Sequence, residues 1–459
     1  MNRPKTQAND LELQIPPARS ILVALSGGPD STLLLHLLLR ESKSLKFKLF
    51  AAHINYRLRH KDSDADEAFC RDLCMKLGVK LFVKKLPIGA MAKSNLQENA
   101  RRIRYEYFDE LCEKHDIDFI ATGHNRDDNV ETVIMNLGRG AGTFGLGGIN
   151  PREGNIIRPL LNYSRTEIES YLKANKIKFR TDGSNLETNY LRNRVRLQLL
   201  PQMASLFGEA LPGNIHRAAR LLSEQEHALR QIADELIATD ARTTAGGKIV
   251  LDLDKFHLYY PMLQRLVIAL CYERMHGSLK DFDFGTSERV LEVASGSTDL
   301  VDLKAGIFAE RCDRVMYIYR RSPSTRPVAI KRTGKTKAAA FWAEFSFARI
   351  PRASVNRDDL RSGQNLRVYF DAAKLRGQLT VRSVREGDKF SPLGMSGHRK
   401  LSDLLIDAKV DRPLRDEIPI VLCDDKIVWV VGLAICEDYK VTDTTKTVVQ
   451  LEVKPYRGI

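Results

Sequence analysis

The feature that most constrains the fold is Ile21-Leu22-Val23-Ala24-Leu25, followed by Ser26-Gly27-Gly28-Pro29-Asp30-Ser31 and then Thr32-Leu33-Leu34-Leu35-His36-Leu37-Leu38-Leu39. An unbroken apolar run containing β-branched residues predicts a strand buried on both faces. Two glycines and a proline interrupt it, and a long apolar helical run follows. The order is therefore strand, tight loop, helix N-terminus. The first N–H groups of a helix have no intrahelical acceptor, and the helix dipole adds about half a positive charge there. Glycine lets a bulky anion approach the backbone, and proline suits the first helical turn. Ser26 and Ser31 add hydroxyl donors. The stretch reads as a phosphate cradle.

Neither common phosphate loop matches. The G-x-x-x-x-G-K-[ST] spacing is missing, no lysine follows the glycines, and the pattern is not G-x-G-x-x-G. Ser26-Gly27-Gly28-Pro29-Asp30-Ser31 instead resembles the SGGxDS loop of the PP-loop ATP pyrophosphatases, which split ATP into AMP and pyrophosphate. The plain alternative is a Gly-rich turn in an ordinary α/β domain.

At 459 residues the chain exceeds one typical core, so two or three domains are expected. The N-terminal residues are polar and no apolar run approaches the roughly 20 residues of a membrane helix, so neither a secretory signal nor a membrane span is expected. Seven cysteines without a paired framework or a C-x-x-C argue for reduced thiols in a cytoplasmic protein, and against a zinc ribbon or iron–sulfur site. Lys plus Arg exceed Asp plus Glu by 72 to 58, a net charge of +14, which points to a polyanionic partner or to a solubility bias.

Residues 20 to about 160 alternate strand and helix. Lys48–His53, Val79–Val83 and Ile117–Thr122 read as further strands, and residues 65–77 and 96–111 carry helical spacing. Ser94-Asn95-Leu96-Gln97 reads as a capping box. The alternation predicts a doubly wound parallel sheet whose ligands bind at the carboxyl ends of the strands. The expected organisation is an N-terminal α/β catalytic domain (1–212), a helical domain (213–320), a linker rich in Pro, Lys, Arg and Ser (321–365), and a small mixed α/β or mainly β domain (366–459).

His124-Asn125-Arg126-Asp127-Asp128-Asn129-Val130-Glu131 falls at a strand end and helix start. Carboxylates in a first helical turn complement the dipole and serve as caps. Beside a phosphate loop they can also hold Mg²⁺ on ATP or take a proton from a nucleophile.

Longer motifs follow. His124-x-x-Asp127-Asp128-x-x-Glu131-Thr132 running to Arg139-Gly140-x-Gly142 resembles the second signature of the tRNA(Ile)-lysidine synthetase family. Asn99-Ala100-Arg101-x-x-Arg104-Tyr105, Asp182-x-Ser184-Asn185 with Tyr190-x-Arg192-Asn193-x-x-Arg196, and Pro261-Met262-Leu263-Gln264-Arg265 resemble others. Gly387-Asp388-Lys389-Phe390, Lys400-Leu401-x-Asp403 and Arg415-Asp416-x-x-Pro419 resemble that family's C-terminal tRNA-contacting domain. The resemblance spans nearly the whole chain, in order. One departure is His53-Ile54-Asn55-Tyr56-Arg57, where the family has H-x-N-H-G, so no role passes to Tyr56.

The resemblance implies a two-step ligase. ATP adenylates the C2 carbonyl oxygen of the wobble cytidine of a CAU-anticodon isoleucine tRNA, and the ε-amine of L-lysine then attacks C2 and displaces AMP to form lysidine. ATP would lie on Ser26, Gly27, Gly28, Pro29, Asp30, Ser31, His53, Arg104 and Gly123, with Asp30 as Mg²⁺ ligand. Catalysis would fall to Asp30, His124, Asp127, Asp128 and Arg192. Asp127 or Asp128 would serve as base or ammonium-orienting group, and Arg139 or Arg192 would take the lysine carboxylate. Arg101, Arg192, Arg196, Lys400 and Arg415 would contact tRNA, and the protein would be a monomer or homodimer. Competing readings are another PP-loop enzyme, such as a tRNA thiolase or amide synthetase, and a non-enzymatic RNA-binding protein. The missing C-x-x-C and the intact loop with Asp127-Asp128 speak against them.

Overall fold

A computed structural model describes residues 11–58, 61–87, 96–180, 191–279, 282–321, 326–356, 360, 366–395 and 397–455. It divides into two units, Met1–Ala228 and Leu229–Ile459. Among the described residues no helix is long and apolar enough to cross a membrane.

The first unit runs β1 (Ser20–Ala24), α1 (Pro29–Leu45), β2 (Lys48–Asn55), α2 (Lys61–Leu77), β3 (Lys80–Lys85), α3 (Leu96–His115), β4 (Phe119–Ala121) and α4 (Arg126–Gly138). It continues through α5 (Thr143–Leu146), β5 (Arg152–Glu153), β6 (Ile156–Ile157), α6 (Arg165–Ala174), α7 (Leu191–Arg194), a π-helical segment Val195–Leu199, α8 (Leu200–Phe207) and the start of α9 (Leu211–Asp240). The sheet order is β3-β2-β1-β4-β6-β5. All pairings are parallel except β5 with β6. The strand predicted to be buried on both faces is β1, at the centre. Ile21 and Val23 join Leu33, Leu34, Leu37 and Leu38 of α1 and Ile168 and Leu172 of α6 on one face. Leu22 joins Ala52, Phe108, Leu111 and Ile120 on the other. That alternation follows from the two-residue period of a strand, and each fully buried Leu or Ile contributes about 1.5–3 kcal/mol. The proposed capping box at Ser94 and Asn95 lies outside the described residues.

The second unit continues α9 into β7 (Ala241–Thr243), β8 (Ile249–Asp252), α10 (Leu253–Phe256), α11 (Pro261–His276), α12 (Phe284–Ser295), β9 (Leu300–Asp302), β10 (Ile307–Cys312) and β11 (Val315–Arg320). The helices pack with a five-stranded sheet, β7-β8-β11-β10-β9, around Leu266, Val267, Val290, Ile307 and Ile318. The mainly β remainder comprises β12 (Val328–Ala329), β13 (Gly334–Ala338), β14 (Ala343–Pro351), β15 (Arg367–Asp371), β16 (Leu379–Arg382), β17 (Lys389–Phe390) and β18 (Arg399–Lys400). After these come α13 (Leu401–Asp407), β19 (Ile420–Cys423), β20 (Lys426–Val430), β21 (Ala434–Ile435) and β22 (Thr447–Pro455).

The linker expectation for 321–365 is corrected here. β12 pairs with β16, and β14 pairs with both β13 and β22. Thr336, Ala338, Ala343, Phe345 and Phe347 point inward while lysines and other polar residues alternate outward. The basic outer face disguises a two-residue period as a polar tract. A boundary at 366 would part β14 from β22.

Candidate active site

The β1–α1 loop is held open by its own hydroxyls. The backbone N–H of Ser26 donates to Ser31 Oγ at 3.1 Å, the two serine hydroxyls lie 3.0 Å apart, and Thr32 Oγ1 donates to Gly27 O at 3.2 Å. Gly27 sits at φ +88°, a conformation that only glycine adopts at little cost. Gly28 is the N-cap of α1 and has no side-chain cap, Pro29 follows it, and Asp30 stands in the first turn. An uncapped helix N-terminus with orphan N–H groups is the loop–helix arrangement that the sequence predicted, and such an end can receive an anion.

The β4–α4 turn lies against this loop. A Cβ at Gly123 would stand 3.1 Å from the Ser31 nitrogen and 3.2 Å from Asp30, so any side chain there would press on the start of α1. Asn125 caps α4 by accepting from the Asp128 N–H at 3.0 Å, and Asp128 Oδ2 accepts the Asn125 N–H in return. Asn125 Nδ2 also donates to Asp30 Oδ1 at 3.1 Å. The other oxygen of Asp30 takes the Arg165 guanidinium. Burial pushes the Asp30 carboxyl up from its ordinary range, with Arg165 and Asn125 opposing.

The two adjacent aspartates have different surroundings. Asp127 Oδ2 accepts the backbone N–H of Arg165 at 2.7 Å, which ties α4 to the start of α6. Asp128 Oδ1 faces Arg192 at 3.0 Å and Arg196 at 3.3 Å. The same arginines hold Glu131, whose side chain is 1% exposed, at 2.7 and 2.5 Å. Both arginines remain more than a third exposed. Arg192 lies in α7 and Arg196 in the π-helical segment that follows, a local distortion frequent at functional sites.

His124 Nδ1 lies 2.9 Å from Thr122 Oγ1. Burial pushes the imidazole down to about 4; Arg158, Arg192 and Arg101 act the same way, and Asp128 opposes them. His53, also expected at the ATP site, is 5% exposed, and its Nδ1 donates to Leu25 O at 2.9 Å. That bond pins the end of β1, and burial pushes the imidazole down from its ordinary value, with the Leu25 bond, Glu67 and Asp66 opposing. Arg104 Nε donates to Tyr56 Oη at 3.2 Å, and Arg101 lies over the Tyr105 ring at 5.4 Å.

Ser26, Gly27, Gly28, Pro29, Asp30, Ser31 and Gly123 are thus brought together, as are Asp128, Arg192 and Arg196. Arg139 is not brought to the aspartates. It is the exposed C-cap of α4, about 18 Å along the axis from Asp127 at 1.5 Å per residue. Lys400 and Arg415 belong to the second unit. Lys400 is exposed opposite Lys389, and Arg415 Nε donates to Val410 O at 3.1 Å. The Asp182–Tyr190 part of its motif lies outside the described residues. All seven cysteines are free, with burial pushing Cys74 and Cys112 up to about 11, so neither is a ready thiolate.

Family comparison agrees with this geometry. Residues 3–203 match the model of a PP-loop domain, and residues 379–452 match that of the TilS substrate C-terminal domain. The chain is 32% identical over 437 residues to a tRNA(Ile)-lysidine synthase of Caldanaerobacter subterraneus subsp. tengcongensis, covering 94% of this chain and 93% of the relative. It is 34% identical to that of Symbiobacterium thermophilum over 465 residues, covering 95% and 94%. The chain belongs to the tRNA(Ile)-lysidine synthase family. A crystal structure of a TilS C-terminal domain aligns with a TM-score of 0.23 at 24% identity, covering 26% of this chain and 88% of that one.

In this lysidine synthase family member, three site residues escaped the sequence reading. Arg165 joins Asp30 through its side chain and Asp127 through its backbone. Arg180 donates its N–H to Gly27 O at 2.9 Å and its Nε to Asp66 at 2.9 Å. No sequence pattern marks either arginine. Asn125 does carry a signal: an Asn followed three residues later by an acid is an N-cap pattern.

Proposed function

We propose that this chain forms lysidine at the wobble cytidine of the CAU-anticodon isoleucine tRNA from ATP and free lysine, with the β1–α1 loop and the α4 cluster in separate roles. Membership in the tRNA(Ile)-lysidine synthase family supports ATP-dependent chemistry on isoleucine tRNA. The division of roles rests on one observation: Asp127 faces α6, whereas Asp128 faces two half-exposed arginines beside the buried Glu131.

In the first step the cytidine C2 oxygen attacks the α-phosphorus of ATP and pyrophosphate leaves. Negative charge develops on pyrophosphate, and the N–H groups at the N-terminus of α1, with Ser26 and Ser31, are aimed to stabilise it. The loop's donors are hard oxygens from Asp30, Ser26 and Ser31, and Asp30 already carries a compensating cation, so the position fits Mg²⁺. Bound there, the ion would supply charge neutralisation on the phosphates. Among the described residues no group of three metal-ligating side chains exists, which suits an ion held largely by phosphate.

In the second step the lysine ε-nitrogen attacks C2 and AMP leaves. Asp128, Glu131, Arg192 and Arg196 already hold charges of both signs, which suits a zwitterion. The lysine carboxylate takes the arginines and its α-ammonium takes a carboxylate, each replacing an internal partner. The ε-amine, with an ordinary pKa of about 10.4, gives its ammonium proton to the Asp128 carboxylate, which passes it to solvent, and attacks as the neutral amine. His124, neutral and next to Asp128, accepts the proton released as the C–N bond forms. ATP, lysine and tRNA meet in the cytoplasm, where this reading places the reaction.

The test is incorporation of labelled lysine into the CAU-anticodon transcript with ATP and Mg²⁺. Incorporation accompanied by AMP release supports the reading. ATP-dependent sulfur transfer without lysine incorporation would overturn it.

A further inference from the structure

β3 is an edge of the first unit's sheet, and among the described residues it pairs with β2 alone. Between this edge and the C-terminal half of α3 lies a groove of about 610 Å³ lined by Arg71, Lys80, Phe82, Tyr107, Lys114 and His115 among others. Its chemistry interleaves cations with rings. Phe82 and His115 stack with centroids 4.6 Å apart, and Lys80 Nζ lies 5.0 Å over the Phe82 ring. Lys84 Nζ lies 4.9 Å over Tyr107 and pairs loosely with Glu110 at 3.4 Å. Arg71 is paired with Glu67. Among the described residues neither Lys80 nor Lys114 has a carboxylate partner. The groove therefore holds more positive charge than its own acids compensate.

The other end of α3 carries Arg101, Arg102 and Arg104, and Arg101 acts electrostatically on His124. α3 has 20 residues and so spans about 30 Å at 1.5 Å per residue, the scale of several consecutive RNA phosphates. Basic side chains thus stand at both ends of one helix, one end beside the site and the other at an open sheet edge.

We propose that the β3–α3 groove is a sequence-independent docking track for the phosphate backbone of the tRNA whose wobble base enters the site. The inference rests on the tRNA reading above. Lys80, Lys84 and Lys114 contact phosphates, while Phe82, Tyr107 and His115 shape the groove and hold the lysines over their faces. Lysines on a sheet edge also guard against pairing with another strand. Glutamates guard equally well, so charge reversal separates the two roles.

The experiment measures tRNA affinity against salt for the full chain and for Lys80→Glu/Lys114→Glu, with Lys80→Gln/Lys114→Gln as a milder second variant. Each phosphate contact contributes roughly 0.7–0.9 to the slope of log affinity against log salt, so the double variants should lose about 1.4–1.8 of slope and the reversal variant at least about tenfold in affinity at 0.1 M salt. The loss should be equal for cognate and non-cognate tRNA. The KM for tRNA should rise while kcat and the KM for ATP stay unchanged. Unchanged affinity and slope in both folded variants, or a loss confined to the cognate tRNA, would overturn the proposal. Wild-type protein that binds tRNA but incorporates no lysine would instead overturn the functional reading.

Discussion

Two regions of this molecule bury a charge inside a cluster of opposite charges, and they do so in opposite ways. In the first unit Glu131 is buried and its partners, Arg192 and Arg196, are partly open to solvent beside a second carboxylate, Asp128. In the second unit Lys248 is 1% exposed. Its ammonium contacts Pro413 O and Asp416 and lies 3.4 Å from Glu417, all in the 3₁₀ helix Arg412–Glu417. Tyr319 flanks it at 5.5 Å, and nearby Tyr317 donates to Asp411 at 2.6 Å. The lysine is encased by partners that fix one helix turn against β8. The arginines around Glu131 each bridge two carboxylates and keep an open side. Burying a charge is expensive unless it is paired. In one case the pairing locks two elements together; in the other it leaves a mixed-charge surface that a zwitterionic ligand can enter.

The largest expected effect tests the closed cluster. Lys248→Ala leaves Asp416 and Glu417 without their cation and should lower stability by about 3 kcal/mol, the lower end for breaking a buried pair. Burial already pushes Glu417 up even with Lys248 present. Without the ammonium that carboxyl rises further. The loss is then greatest above its pKa and shrinks as pH falls through it, because the neutral acid needs no partner. Thermal melts across pH read this out. Turnover of the folded fraction at low temperature should match wild type, and a selective loss of kcat there would erase the contrast between the clusters.

The open cluster should respond in the reverse manner. Arg192→Ala removes charge-assisted hydrogen bonds worth about 1.5–3 kcal/mol, which appears as a KM for lysine raised roughly ten- to hundredfold. Its stability change should be smaller than that of Lys248→Ala, because Arg196 still holds Glu131. Steady-state kinetics in lysine together with a melting curve decide the point. A variant that melts early yet keeps its KM would make this cluster structural too.

A smaller effect sharpens the division between adjacent aspartates. Asp128→Asn should raise the KM for lysine more than Asp127→Asn does, since only Asp128 faces the arginines. Asp127→Asn should instead loosen the start of α6, by about 0.5–1.5 kcal/mol for a hydrogen bond weakened but not lost. Equal KM changes in the two variants would refute the assignment of lysine to the Asp128 side.

How far these features were legible in the sequence depended on distance along the chain. The β1–loop–α1 unit was readable because its determinants are local: a strand with side chains on both faces, Gly27 at positive φ, Pro29 at the first helical position. The acids at the start of α4 were readable as a cluster, but their different directions were not. Arg165 meets Asp30 across 135 positions of sequence, and nothing in either neighbourhood names the other. Arg139 was readable as part of a motif, yet one helix length separates it from the aspartates. Between 321 and 365 the inward Phe345 and Phe347 were hidden by polar and basic neighbours, so a sheet read as a linker.

The smallest expected effect concerns His124. Its folded pKa, about 4, lies below the ordinary value of 6.5. The unfolded chain therefore takes up a proton first as pH falls, and the stability associated with the neutral ring is present above about 6.5 and lost progressively toward 4. His124→Gln has no proton to take up. Its stability should decline less steeply than wild type between those values, while near pH 8 the two should melt within a few degrees of each other. Because Arg192 is one of the charges holding the ring neutral, Arg192→Ala should raise the folded-state pKa, so the decline still begins near 6.5 but ends at a higher pH and is smaller in total. That shift links the imidazole to the open cluster. An identical acid limb in wild type, His124→Gln and Arg192→Ala would show that His124 and the arginines do not share one electrostatic site.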